Sequence, residues 1–561
     1  MESIEEKTIH WLDKLQETKL FKLQETKLFK LQETKLLRGK NLKELLAYKD
    51  ISLWWFIRPH LAYTIFNIIK RVESGKKVEK IKTSEKFRLF FGKRYIKFKE
   101  LIRKNLSKIF VRENGKGCPK ILVLSTTRYW TEVLSKNGKT KRDDIILGAI
   151  IEKLKKNGYE VVCIDTDYTR TLNLKILWEK LKEGWIPFEC YYSKFIEKKA
   201  ERGIKNIKKL WEELKSSDDF KNSLTYKGIP LWGFLKERFD LIFSNVYIYN
   251  DVKNIETAIH ILEKERPAAV LMTFETGYYA LALIAAAKKK GIPTIAIQHG
   301  IIHSTHGAYT HKEVSLASNS LEYPIPDKTA VYGKYTKNIL IKRGNYPKGS
   351  VVVTGQPRYD ILVEAYKIFN RDKFCERYNL NPRKKIVLIV TQTLRSKEER
   401  DTFLRSTIDM IKKIPDIQIV IKPKPNEDGK WQRRILLEEK VKGKVLPGRS
   451  NIFEVLYACD AMITVYSTTV IEAMILNKPV IIVNLTGEKD PMPYVESGAS
   501  LGVYKKGDIV EAVRKALYDK RIKTELRKNM KKFVYEHAYK ADGKATERVV
   551  DLIKQTIMAS R

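Results

Sequence analysis

The chain has 561 residues, 43% of them hydrophobic, and 108 Lys and Arg against 67 Asp and Glu, a formal net charge of +41. That length excludes a single hydrophobic core and fits two or three domains. The charge points to an anionic partner, whether a phosphorylated substrate, an acidic lipid surface or nucleic acid, and does not choose among them.

Five cysteines, Cys118, Cys163, Cys190, Cys375 and Cys459, stand far apart without a C-x-x-C pair, so a reduced, cytosolic setting is expected. Residues 1 to 50 contain no apolar stretch of secretory type. Lys14 to Leu37 repeats the octet Lys-Leu-Gln-Glu-Thr-Lys-Leu-Phe three times, with Leu37 in place of the last Phe. Eight residues advance a helix by about 80° beyond two turns, so Leu15, Leu23 and Leu31 spiral and no heptad seam forms. A spacer helix is the expectation. Ile51 to Ile69 is the most apolar stretch, but Arg58, Pro59 and His60 fall at its middle, where a charge makes membrane crossing costly. With Trp54 and Trp55 and the aromatic and basic run Lys86 to Phe110, it fits a segment lying on an anionic membrane surface.

Asn114 to Pro119 reads as a linker. Lys120 to Ser125, a helix over Asp143 to Lys156, and Glu160 to Asp165 then make a βαβ start, the signature of a parallel sheet. No G-x-G-x-x-G follows, so no nicotinamide, flavin or other cofactor is expected. Residues 170 to 238 are helical and rich in Lys and Trp, an insertion suited equally to core, lid or acceptor site. The sheet resumes at Asp240 to Ser244, Ala268 to Met272 and Thr294 to Ile297. From Pro326 the chain crosses to a second α/β unit with strands at Ser350 to Thr354, Lys385 to Val390, Ile417 to Ile421, Gly443 to Leu446, Ala461 to Val465, Pro479 to Val483 and Ser500 to Tyr504. A last helix, Ala545 to Met558, is placed to pack back across the cleft.

In open α/β sheets ligands sit outside the carboxyl ends of the strands, and polar groups recur there. Ile417 to Ile421 delivers Lys422 and Lys424. Ala461 to Val465 delivers Ser467, Thr468 and Thr469, whose oxygens suit a helix start and whose free N–H groups attract an anion. Glu472, one turn in, fits ribose hydroxyls or a capping box with Thr469. Gly355 permits close backbone approach and Arg358 a bidentate grip on a diphosphate, with Thr391 on the same rim. His299 follows a buried strand and is the candidate base, with Glu275 as its partner or runner-up. Four of the eight histidines lie between His299 and His311, but no Cys, Asp or Glu joins them locally, and no metal is expected.

Taken together, Gln298 to Gly300, Thr354 to Asp360, Lys422 to Glu427 and Ser467 to Ala473 followed by Lys478 to Val480 resemble the GT-B glycosyltransferases of surface and capsular polysaccharide synthesis. They are also similar to the related polyglycerophosphate transferases and, more distantly, to UDP-N-acetylglucosamine 2-epimerases. The resemblance implies an α/β fold of two Rossmann-like domains facing a cleft, preceded by a helical extension. The expected division is 1–115 for the extension, 116–327 for the acceptor domain, 328–540 for the nucleotide-sugar donor domain and 541–561 for the C-terminal helix. It implies a donor held by Lys422, Ser467 and Thr468 through phosphate and by Glu472 through ribose, with His299 as base. One departure is Lys424, where relatives commonly carry His in Lys-Pro-His-Pro; lysine keeps a cation but does not shuttle a proton at neutral pH. The expected activity is transfer of a sugar from a nucleotide-sugar donor to a cell-surface glycan or lipid-linked acceptor, inverting and metal-independent, at the inner face of the membrane. Alternatives are polyol-phosphate transfer, 2-epimerisation, for which Ser467 to Thr469 replace the usual glycines, and nucleic-acid binding, for which no zinc-finger or RNP signature appears, so no nucleic-acid partner is expected.

Overall fold

The computed structural model describes residues 40–73, 97–107, 118–134, 140–167, 172–226, 228–244, 247–302, 308–309, 311, 313–318, 320–392, 394, 396–425, 427–487, 489–490 and 492–560. The octet repeat, His303, His306, Thr393 and Arg395 lie outside the described residues.

The first long helix, α1 (Trp54–Glu73), corrects the expectation that Trp54 and Trp55 lie on a membrane. Trp54, Trp55, Phe56 and Ile57 are buried in the core of the first lobe. The Trp55 indole N–H donates to the Leu321 carbonyl at 2.7 Å and its ring meets Tyr323 edge to face. With ring and N–H both satisfied inside the protein, the amphipathic character expected of an interfacial tryptophan is spent on packing. A second helix, α2, spans 97–107. No described helix is long and apolar enough to cross a membrane.

The first sheet contains β1 (Lys120–Thr126), β2 (Glu160–Thr166), β3 (Ile186–Pro187), β4 (Ala269–Thr273), β5 (Thr294–Ile297), β6 (Lys328–Val331) and β7 (Val351–Val353), in the order β7-β6-β5-β4-β1-β2-β3. Every pairing in it is parallel. Its central strands are unbroken apolar runs, as strands covered on both faces must be. Four expectations change here. Asp240 to Ser244 is no strand: Leu235, Phe239 and Ile242 are buried at helical spacing in the helix Trp232–Ile242, and that stripe outweighs the short apolar run at its end. Thr140–Asp144 pairs with Trp130–Leu134 in a hairpin, so the helix expected from Asp143 starts at Gly148. Lys328–Val331 belongs to the first sheet, so the chain does not cross at Pro326. Val351–Val353 likewise pairs in register with it, not with the second sheet. The Trp-rich stretch 170–238 is core as far as Phe188, Trp211 and Leu235 are concerned, all buried in the first lobe's main cluster, while Trp178 is exposed.

The second sheet contains β8 (Lys385–Val390), β9 (Ile417–Lys422), β10 (Gly443–Val445), β11 (Ala461–Thr464), β12 (Val480–Val483) and β13 (Leu501–Val503), in the parallel order β10-β9-β8-β11-β12-β13. Strand order reverses at β1, between β2 and β4, and at β8, between β9 and β11. Those reversals open the crevices in which doubly wound sheets hold ligands. Two parallel sheets of this kind, joined through the 354–357 turn and a returning C-terminal helix, make the GT-B arrangement.

That returning helix, α3 (Ala545–Ala559), packs Val549, Val550, Ile553 and Ile557 against Ile121, Val123 and Ile295 of the first sheet. Asp360 holds its start, accepting from the Ala545 N–H at 2.9 Å and the Thr546 N–H at 2.8 Å. Arg548 donates from Nε to the Thr354 carbonyl at 2.7 Å and pairs with Asp542 at 2.9 Å. Both crossings between lobes are thereby tied together. Asp360→Ala leaves two N–H groups uncapped and should cost about 1 kcal/mol of unfolding free energy in a denaturant titration; an unchanged midpoint would show that the cap contributes nothing.

Candidate functional site

The first half of the site stands at the β1–β4 reversal. Ser125 and Thr273, near the ends of those strands, bring their hydroxyls within 3.4 Å. Phe274 follows with φ +53, a left-handed conformation unfavourable for a bulky side chain, and such strain persists where the surrounding structure fixes a functional geometry. The turn buries Glu275 to 2% exposure and sets its Oε2 4.0 Å from Nδ1 of His299. The Tyr309 hydroxyl adjoins both groups, at 3.5 Å from the same ring nitrogen. Phe274 meets the imidazole edge to face at 5.2 Å. The backbone around His299 is clamped by buried Gln298, whose Nε2 donates to the Gly300 carbonyl at 2.7 Å and whose Oε1 accepts from the Tyr332 N–H at 2.8 Å. Burial raises the Glu275 carboxyl to about 7. The pair expected from sequence is therefore assembled, with a carboxyl group poised between its two protonation states near neutrality.

The second half lies on the carboxyl edge of the second sheet. Arg358 pairs with Glu472 at 2.9 Å and lays its guanidinium over the Phe453 ring at 4.8 Å. Burial raises the Glu472 carboxyl and Arg358 lowers it. The capping box between Thr469 and Glu472 does not form: Thr468 is the N-cap of the helix Thr469–Ile475 without a side-chain bond, and Ser467 Oγ accepts from the Thr469 N–H at 3.3 Å. Glu472 turns instead to Arg358, because an opposite charge holds a buried carboxylate better than one amide does. Ser467 and Thr469 share a hydroxyl hydrogen bond of 2.8 Å.

Lys422 ends β9 on this edge, two strands from Ser467. Its ammonium donates to the carbonyls of Pro423, at 2.8 Å, and Gly448, and burial lowers it to about 8. Lys424 is half-buried in the following turn, where its N–H donates to Glu427 at 3.3 Å. Thr391 is turned into the sheet, accepting at 3.2 Å from Gln432, so its hydroxyl serves the fold. Gly355 has φ +83, as a glycine turn allows, but the close approach it permits is made by the chain itself: a Cβ there would lie 3.2 Å from Ala545 and Arg548. It is part of the interlobe latch, which corrects its reading as a contact for a donor.

A run of tyrosines links the halves. Tyr129 lies 6.1 Å from the His299 ring, and Tyr332 lies 6.5 Å from Tyr359, the neighbour of Arg358, and bonds Gln356 through its hydroxyl at 2.6 Å. Ile301 and Leu134 of the first lobe pack against the core of the second. Sequence reasoning missed Tyr129, Tyr309, Tyr332 and the role of Gln392, whose Oε1 accepts from the Tyr466 N–H at 3.1 Å across the β8–β11 reversal. The signal was present, since Tyr129, Tyr332 and Gln392 each follow a strand's carboxyl end. Among the described residues no group of three His, Cys, Asp or Glu side chains is placed to hold a metal ion. A cavity of 690 Å³ lined by Pro293, Lys328 and Leu552 lies at the opposite, amino edge of the first sheet and is separate from these groups.

Residues 243–555, more than half of the chain, match the family described as CDP-glycerol:poly(glycerophosphate) glycerophosphotransferase. The chain belongs to this family. His299, Glu275 and all the second-lobe residues above fall inside the matched range. No curated protein matches the chain. Among solved structures it is similar to a UDP-GlcNAc 2-epimerase from Neisseria meningitidis bound to UDP-GlcNAc, at 16% identity over 78% of this chain and 100% of the other, with a TM-score of 0.48. It is also similar to a UDP-N-acetylglucosamine 2-epimerase from Listeria monocytogenes, at 13% identity over 79% and 98%, TM-score 0.49. A third likeness is to the calicheamicin glycosyltransferase CalG4, at 12% identity over 79% and 99%, TM-score 0.44.

The raised Glu275 carboxyl gives a pH prediction. The acid form dominates below about 7 and the carboxylate above it. If the carboxylate orients His299, kcat/KM should rise with pH through about 7, and Glu275→Gln should lower activity and abolish that limb; a Gln variant with the same rise would sink the pairing.

Proposed function

We propose that this family member transfers a phosphorylated polyol from a cytidine-diphosphate-linked donor to the hydroxyl of a cell-surface glycan or lipid-linked acceptor, without a metal. The observation that carries the reading is the pairing of a histidine and a buried carboxyl on one lobe with the Arg358–Glu472 cluster on the other. With Nδ1 turned toward Glu275, His299 takes the acceptor hydroxyl proton on its other ring nitrogen. The oxygen then forms a bond to the donor's distal phosphorus as the bond from that phosphorus to the nucleotide breaks, and the nucleoside monophosphate leaves. Arg358 and Lys424 offset the charge on the leaving phosphate, and Ser467, Thr468 and Thr469 supply hydroxyl and amide donors beside it. Lys422 adds its field while bracing the 423–448 turns, and Glu472 takes the ribose hydroxyls.

The second reading is inverting sugar transfer with the same residue roles, the attack falling on an anomeric carbon. The likeness of the Ser467 to Ala473 motif to capsular glycosyltransferases favours it. Both readings place the enzyme at the inner face of the membrane, peripherally attached. An epimerase would convert a nucleotide sugar with no acceptor present.

Thermal shift with CDP-glycerol and UDP-GlcNAc separates the readings, since a bound donor stabilises by mass action. CDP-glycerol should raise the midpoint and UDP-GlcNAc should not; the reverse favours sugar transfer. His299→Ala should lower kcat by about a hundredfold or more while the donor-induced shift is kept. Equal loss of both would remove its role as base. Arg358→Ala should weaken donor binding and leave the Glu472 carboxylate buried without its partner.

A further inference from the structure

We propose that Arg238 and Asp251, framed by His60, Tyr247 and Tyr278, form a second acceptor subsite on the first lobe. It grips a phosphodiester-linked polyol unit of the acceptor, set back from the hydroxyl presented to His299, with Arg238 taking the phosphate and Asp251 a hydroxyl. The idea rests on the phosphoryl-transfer reading above and extends it along the acceptor. None of the five residues has a part in the transfer step, and His60 and Arg238 lie before the matched range 243–555.

Parallel winding gathers these residues beside the catalytic pair. Tyr278 opens the helix Tyr278–Lys289 that follows β4, three residues beyond Glu275. The helix Tyr247–Glu265 leads into β4, so its first turns, with Tyr247 and Asp251, stand at the same carboxyl edge. His60 comes from α1 and Arg238 from the helix Trp232–Ile242. The Tyr278 hydroxyl shares a 3.0 Å hydrogen bond with Nε2 of His60. The His60 ring stacks on Tyr278 at 5.4 Å and meets Tyr247 edge to face at 4.5 Å. Both charged groups act on that hydroxyl: burial and then Asp251 push it up, and Arg238 pulls it down.

The two charged groups are unsatisfied. Among the described residues Oδ2 of Asp251 and Nε of Arg238 are buried without a hydrogen-bond partner. Elsewhere in the lobe buried charges are paired, as Arg103 of α2 is with Asp165 at 2.9 Å and Glu189 at 3.2 Å. A buried polar group without a partner costs stability, and a fold retains one where a ligand supplies the partner. Asp251 is 5% exposed, while His60, Tyr247, Tyr278 and Arg238 are half-buried, so a withdrawn carboxyl lies behind a partly open rim.

Protonation selects the ligand. Burial pushes the Asp251 carboxyl up to about 8, so near pH 7 it is a neutral acid, able both to donate to a hydroxyl and to accept from one. Burial and Arg238 lower His60 to about 4, so the imidazole is neutral as well. Arg238 is then the charged member of the cluster. One guanidinium matches the single charge of a phosphodiester more closely than the nearly double charge of a phosphate monoester.

The test is a saturation-transfer NMR titration of the full chain at pH 7, without donor, using glycerophosphoglycerol, glycerol 3-phosphate and glycerol. The diester should bind at least as tightly as the monoester, and glycerol about tenfold or more weakly, since it leaves Arg238 unmatched. Arg238→Gln should weaken diester binding about tenfold or more. Asp251→Leu should do the same with a thermal midpoint no lower than wild type, whereas Asp251→Asn, which also donates and accepts, should retain binding within about threefold. Arg238→Gln, at a half-buried position with no ion pair to lose, decides the matter by itself. The proposal is overturned if wild type does not bind the diester, if glycerol binds as tightly, or if Arg238→Gln binds normally. Binding of the monoester alone would mark a site for a free metabolite and would also overturn it. A ligand seated in the donor site would lose affinity in Arg358→Ala and keep it in Arg238→Gln, and that pattern is a further refutation. No donor and no turnover enter the assay, so an error in the donor assignment leaves its readout intact.

Discussion

Parallel pairing is the constraint on which everything else rests. When all strands of a sheet run the same way, every strand delivers its following residues to one edge, and the two reversals of strand order open a crevice there. In this protein the first sheet delivers Tyr129, Glu275, His299 and Tyr332 to that edge, and the second delivers Gln392, Lys422 and Ser467. A crossing between the lobes at 354–357 and the return of α3 hold the two edges in one molecule, with Arg548 bonded across the crossings.

Burial then sets the chemistry of the edge. Glu275 is withdrawn from water by Phe274, Tyr309 and the strands beneath it, so its carboxyl ionises near neutrality instead of well below it. Glu472 is equally buried but has Arg358 against it, so the same desolvation is opposed by a cation. Two carboxyl groups, one without and one with a guanidinium partner, are thereby given different work. Lys422 shows the converse: burial lowers it, and carbonyl oxygens take up its donors.

The sequence was readable where one signal dominated. Unbroken apolar runs such as Ile386 to Val390 read as buried strands of a parallel sheet, and His299 beside Gly300 at a strand end marked the first lobe's candidate site. It misled where two signals competed. Leu241 and Ile242 mimic a strand, yet Leu235, Phe239 and Ile242 form a helical stripe. Trp54 and Trp55 have membrane-interface composition, and only the fold reveals that both are buried, with Leu321 and Tyr323 there to receive Trp55. Gly355 was recognisable as a special turn, but its left-handed backbone is needed for Ala545 and Arg548 to approach, a contact made by residues 190 positions onward. The glycerophosphotransferase assignment came from the match over 243–555, since no motif distinguishes a phosphorus from an anomeric carbon as the point of attack.

The central claim is that an activated donor lies across the facing carboxyl edges of the two sheets. A crystal structure of the protein soaked with CDP-glycerol tests it most directly. The account predicts the diphosphate between Arg358 and the Ser467 helix start, with the distal phosphate directed toward His299. A donor bound instead in the cavity beneath Pro293 and Lys328, or one whose phosphates point away from His299, would contradict it.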